Sequence, residues 1–172
     1  MIQHIEFRKK PYRRLKINIK PIAEFNEILH ILNCINFPGL TVNTEHVIYA
    51  ILELINNSLR AHREKKVERS IKVVLQNSEG RLQILIQDWG GGFDPSKLPY
   101  DLNCNPEEID MNSPVFQAYR EKHGYKRFGI GIYVVKKTFT SFRLYFINGA
   151  MQEVEWGNGR IAGTCIELTL GD

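Results

Sequence analysis

Residues 81–93 read Arg-Leu-Gln-Ile-Leu-Ile-Gln-Asp-Trp-Gly-Gly-Gly-Phe. Side chains alternate across a strand, so Leu82, Ile84 and Ile86 share one face, and Asp88 continues that inward apolar row. A buried, unpaired carboxylate is costly and needs an ion partner, hydrogen-bond donors or a strand end that reaches water. The glycines that follow, including Gly90 and Gly92, let the backbone turn with positive φ and approach a ligand closely. A carboxylate beside such a turn can receive the exocyclic amino group of a purine.

Upstream, an Asn-Ser-Glu-Gly turn separates this strand from another over about 69–76. Before that, Thr44 is placed to cap a helix running to about Lys65. On its wheel Val47, Ile48, Ile51, Leu52, Leu54, Ile55, Ser58 and Leu59 share an arc of roughly 160°. Glu53, Asn57 and Arg60 fall on the opposite side, with Glu53 and Asn57 one turn apart. That group reads either as a solvated face or as a carboxylate and amide holding a hydrated divalent cation; Mg2+ takes hard oxygen donors and keeps several waters. Further upstream, a helical spacing from about Pro21 to Asn36 stops at Phe37-Pro38-Gly39, and residues 13–19 alternate as a strand.

Downstream, residues 94–127 hold Pro95, Pro99, Pro106 and Pro114 with little periodicity and read as a long excursion of the kind that forms functional lids. A helix is expected over Ile130–Phe139, then strands near 142–147, 150–156 and 161–170. Its opening, Arg127-Phe128-Gly129-Ile130-Gly131-Ile132, exposes backbone N–H groups suited to phosphate. The dinucleotide fingerprint G-x-G-x-x-G fails because Val134 stands at the third glycine, and no glycine cluster is followed by G-K-[ST], which excludes a P-loop. In the last strand Thr164 shares parity with Ile166, Leu168 and Leu170, so its hydroxyl points inward as Asp88 does. Runs of strands joined by short turns predict an α/β (α+β) two-layer sandwich: a mixed, largely antiparallel sheet with helices on one face.

Composition sets the remaining bounds. The chain has 172 residues and is expected to form one domain, 1–172. Twenty-three Lys and Arg against 19 Asp and Glu leave +4, too mild for a nucleic-acid groove. No apolar run approaches the roughly 20 residues of a membrane span, and the start lacks the pattern of a secretion signal, so a cytoplasmic protein away from membranes is the expectation. Cys34, Cys104 and Cys165 show neither C-x-x-C spacing nor an even count, and read as buried or idle thiols.

In this order, Glu53-Leu54-Ile55-Asn56-Asn57, Asp88-Trp89-Gly90-Gly91-Gly92, Gly129-Ile130-Gly131-Ile132 and Gly163-Thr164 resemble the N box, first glycine box, second glycine box and closing G-T pair of the gyrase, chaperone, histidine-kinase and mismatch-repair ATPase superfamily. The resemblance covers about Leu15–Leu170. It implies the Bergerat ATP-binding fold with ATP and Mg2+ as cofactors. Asn57 would ligate the metal, and Glu53 would act as base or metal-water partner. Asp88 would take the adenine amino group, supported by Thr164 through water, while Gly129 and Gly131, with Ile132, would meet the phosphates under the lid at 94–127. Arg60 stands where many sensor kinases carry Lys, and Arg127, Lys126 and Arg60 are candidates to offset phosphate charge.

Within that superfamily the sequence looks most like anti-sigma-factor serine kinases, which implies γ-phosphate transfer to a serine or threonine of a regulatory partner. The partners would be a sigma factor, an antagonist protein, and a second copy in a homodimer. Two alternatives stay open. One is the catalytic domain of a two-component sensor histidine kinase feeding a response regulator, whose lid Pro114–Arg120 faintly resembles. The other is a nucleotide-gated binding module without turnover. Pro114–Arg120 reads first as a lid helix packing its aromatics.

Overall fold

The computed structural model describes residues 1–123 and 130–171. A hairpin of β1 (Ile5–Phe7) and β2 (Lys10–Tyr12) leads into β3 (Arg14–Ile19), α1 (Phe25–Asn33), β4 (Ile35–Asn36) and α2 (Thr44–Lys65). Then come β5 (Ile71–Ser78), β6 (Arg81–Gln87), α3 (Pro114–Lys122), α4 (Ile130–Thr138), β7 (Ser141–Ile147), β8 (Glu153–Val154) and β9 (Gly163–Leu170). The main sheet has the order β3-β5-β6-β9-β7-β8, antiparallel at every described pair. A small sheet, β2-β1-β4, stands beside it.

Burial follows the period of each element. In β6 Leu82, Ile84 and Ile86 are buried, and in β9 Ile166, Leu168 and Leu170 face the same core. α2 supplies Val47, Ile48, Ala50, Ile51, Leu52, Leu54, Ile55 and Leu59, and lies between α1 and α4 on this face of the sheet. One contiguous apolar cluster therefore joins α1, α2 and α4 to the main sheet, the expected two-layer sandwich.

Several boundaries differ from expectation for local reasons. Asn43, not Thr44, caps α2: its side chain accepts the Glu45 N–H at 2.9 Å, while the Thr44 hydroxyl donates to Asn36. The first helix is shorter than 21–36, because Glu24 starts it in a capping box with Glu27 and the chain leaves it into β4. β8 is confined to Glu153–Val154, not 150–156. The β1–β2 hairpin was not foreseen, since its turn residues Arg8 and Lys9 adopt φ of 51° and 65° without the glycine or asparagine that signals such a turn. The β5–β6 turn uses the same conformation at Glu79 and Gly80, φ 54° and 80°.

The 94–127 excursion holds two short 3-10 turns and α3. Ser113 caps α3 by accepting the Phe116 N–H, and Phe116 and Tyr119 are buried. Phe116 stacks on Tyr100 with centroids 6.1 Å apart, and Lys136 of α4 donates to the carbonyls of Leu102 and Cys104 at 2.6 and 2.5 Å. Pro114–Arg120 is thus a helix that packs its aromatics.

Candidate functional site

The end of β6 lies beside the start of β9, with the Asp88 N–H donating to the Thr164 carbonyl at 2.9 Å. Both side chains are buried and both line one cavity of about 650 Å3 between α2, the sheet and α3. The alternation that put Asp88 and Thr164 on one side of the sheet has brought them together.

The Asp88 carboxylate is held by three protein donors. Ser58 Oγ–H reaches Oδ2 at 2.8 Å, and the Gly90 and Thr164 N–H groups reach Oδ1 at 2.8 and 3.3 Å. An ionised carboxylate has about four lone-pair positions, so an acceptor position remains for an N–H donor entering the cavity. Burial pushes the Asp88 carboxyl above its ordinary value, opposed by the Gly90 N–H, Ser58, nearby His62 and the Thr164 N–H. Ser58→Ala should therefore raise it further and cost about 1–2 kcal/mol of stability. Urea melts and a pH series of nucleotide affinity check both, with the larger affinity loss on the acid side.

Close packing explains the glycines. Gly92 has φ 68°, and a Cβ there would sit 2.9 Å from Ile161 and Phe146. A Cβ on Gly90 would meet that of Ala61 at 2.5 Å. Both glycines line the cavity.

The same cavity is lined on α2 by Asn57 and Arg60 and on α4 by Ile132. Gly131 brings the start of α4 against α2: a Cβ there would lie 3.0 Å from Glu53 Oε2 and 3.7 Å from Asn57 Nδ2. Arg60 Nη2 donates to Asn57 Oδ1 at 2.6 Å, an i,i+3 pairing on the polar face of the helix. Arg127 and Gly129, together with Lys126, lie outside the described residues.

Sequence reasoning missed Ser58 as a carboxylate partner, His62 behind the Asp88 turn, and Lys65, Phe93, Lys122 and His123 as cavity residues. Ser58 and His62 carried a signal, since each is a polar residue on the apolar side of α2. Lys122 and His123, at the end of α3, carried none. Cys165 is buried and its thiol is pushed up to about 11, mainly by burial, as expected of an idle thiol; Cys34 and Cys104 are partly buried. No cluster of three or more His, Cys, Asp and Glu suited to a metal occurs among the described residues. No described helix is long and apolar enough to cross a membrane.

A second hollow, of about 670 Å3, lies between Tyr100, in the segment after β6, and Trp156 near β8. It is more open and does not combine a buried carboxylate, close-approach glycines and a helix start, so the chemistry singles out the Asp88 cavity.

A cleft lined by a buried, hydrogen-bonded carboxylate, close-approach glycines and the Asn57 amide, with the glycine-bearing start of α4 packed against that part of α2, has the chemistry of a nucleotide site. The sequence model of the histidine kinase-like ATPase domain matches residues 26–170, and the chain belongs to that family of ATP-binding domains. No match was found among curated proteins.

Proposed function

We propose that this domain is a protein kinase that transfers the γ-phosphate of ATP to a serine or threonine hydroxyl of a regulatory partner, in the manner of anti-sigma-factor kinases. The observation that carries the reading is the close approach of Gly131 at the start of α4 to Glu53 and Asn57 of α2, Asn57 lining the same cavity as Asp88. A nucleotide whose base amino group donates to Asp88 would extend its phosphates toward Asn57 and the start of α4. There the backbone at the start of α4 offers N–H groups, and Glu53 is placed to orient or deprotonate an acceptor hydroxyl. Phosphoryl transfer needs mainly such positioning and charge stabilisation.

The donor chemistry also fits Mg2+, which is satisfied by one or two protein oxygens together with water and phosphate. Asn57 would hold the ion through Oδ1 once Arg60 releases that atom, and Glu53 would hold one of its waters. When bound, the ion neutralises phosphate charge. Arg60, Lys126 and Arg127 are the candidate cations to offset phosphate charge.

Glu53→Gln tests the role of the carboxylate. Transfer or hydrolysis should fall about a hundredfold or more while ATP affinity changes by no more than about threefold. Turnover close to that of the unaltered protein would remove Glu53 from the chemistry. Retrieval of partners with and without ATP tests the assignment to a sigma factor and its antagonist, and sedimentation tests the homodimer.

A second reading is transfer to histidine within a two-component system, supported by the faint likeness of Pro114–Arg120 to the aromatic segment of sensor-kinase lids. Acid treatment of the labelled partner separates the two, because phosphohistidine is lost in acid and phosphoserine survives. A nucleotide-gated binding module would instead keep capturing its partner in the Glu53→Gln protein and show no transfer even in the unaltered chain.

A further inference from the structure

His62 lies on α2 one turn beyond Ser58, fully buried on the side that faces the core. Its Nε2 accepts the Trp89 N–H at 2.8 Å. An imidazole that accepts at Nε2 is neutral and carries its proton on Nδ1. α2 therefore grips the turn after β6 at successive points: Ser58 holds the Asp88 carboxylate, and His62 holds the next residue's amide. Across the turn, the Arg69 guanidinium lies 3.8 Å over the Trp89 ring.

We propose that His62 is a positioning residue whose neutral imidazole locks the Asp88–Trp89 turn in the geometry that receives the nucleobase, and whose protonation releases that turn and weakens nucleotide binding. The proposal rests on the assignment of the cavity to ATP. A protonated Nε2 is a donor aimed at another donor, so the bond to Trp89 cannot survive imidazolium formation in place. Several groups bear on that proton. Asp88 at the end of β6 and the Arg69 backbone before β5 favour the charged form. Arg63 on the same helix, Lys66 and Glu68 in the turn after it, and Lys20 beyond β3 border the small hollow that His62 also lines. Burial outweighs the favourable contacts and holds the imidazole below its ordinary 6.5. The lock is then fully set above that pH and is lost as the pH falls through the lowered value.

The test is calorimetric titration of the whole chain with ATP at several pH values from mildly alkaline to mildly acid, alongside the NMR signal of the Trp89 amide proton. His62→Gln supplies a neutral acceptor that does not titrate. It should bind ATP within about threefold of the unaltered protein at alkaline pH, and should lose less affinity on acidification, the remaining slope belonging to Asp88. His62→Phe fills the space without an acceptor and should bind about tenfold more weakly at alkaline pH, with the Trp89 amide signal shifted. Unchanged affinity and an unmoved Trp89 signal in His62→Phe would overturn the proposal, and so would a full pH slope in His62→Gln. Should the unaltered chain bind no ATP at all, the nucleotide assignment fails on its own, while an unmoved Trp89 signal across both variants would still refute the lock.

Discussion

Asp88→Asn is expected to weaken ATP binding about a hundredfold or more while leaving the protein folded, the affinity read by calorimetry and the fold by urea melts. The side-chain amide keeps one oxygen for the Gly90 and Thr164 N–H groups, and the Ser58 hydroxyl can rotate to accept from the new NH2. The local network therefore survives the exchange. What disappears is the acceptor position left over from three internal donors, replaced by an amide that offers N–H where the purine amino group also brings N–H.

The same substitution has a stability signature of opposite sense. Burial raises the Asp88 carboxyl above its ordinary 3.8, so the folded state takes up this proton more readily than the unfolded chain. The stability it contributes is complete below 3.8 and is lost as the pH rises through the raised value. Asp88→Asn should then gain stability relative to the unaltered protein between mild acid and neutrality, where the buried charge is removed, while ATP affinity collapses. A variant that still bound ATP normally would take the nucleobase away from this carboxylate.

Gly163→Ala is expected to be the most damaging alanine substitution among the described glycines. A Cβ at this position would lie 1.9 Å from the Asp88 carbonyl oxygen, 2.8 Å from its carbon and 2.9 Å from Trp89 Cα. Every one of those atoms is backbone, so no side chain can swing aside. Relief requires parting β6 from β9 at the point where Asp88 and Thr164 face the cavity. A cost of about 3–5 kcal/mol, or roughly 6–20 °C in Tm for a domain of this size, is the expected scale, with ATP binding lost in whatever folds. Gly149 provides the control, since a Cβ there meets nothing within 4 Å. Gly149→Ala melting with the unaltered protein, and Gly163→Ala well below it, is the predicted pair of curves.

The glycine of the closing G-T pair is therefore a packing requirement before it is a binding residue. That distinction was invisible in the residues alone: the pair marked its place by order along the chain, whereas the contact that makes glycine necessary joins positions on different strands. The Asn57–Arg60 bond is different, because both partners lie on one helix at i,i+3 and their meeting follows from its pitch. The hydrogen bonds that join Ser58 and His62 to the turn after β6, one donated by Ser58 and one accepted by His62, needed the packing of α2 against the sheet. The β1–β2 hairpin was also hidden, since Arg8 and Lys9 carry none of the usual turn chemistry and their left-handed backbone is imposed by the strands on either side.

By itself the sequence determined what depends on period and order: the alternation that turned Asp88 and Thr164 inward, the helical pitch that separated Glu53 and Asn57 from the apolar arc of α2, and the strand-and-helix succession of a two-layer sandwich. Only the tertiary structure decided which donors hold the Asp88 carboxylate, how closely β9 approaches β6 at Gly163, and that His62 accepts from Trp89. Periodicity is a property of neighbours along the chain and can be read from it. The occupancy of a lone pair, or the room for one methyl group, is set by segments that meet only when the apolar faces of α2 and the sheet close on each other.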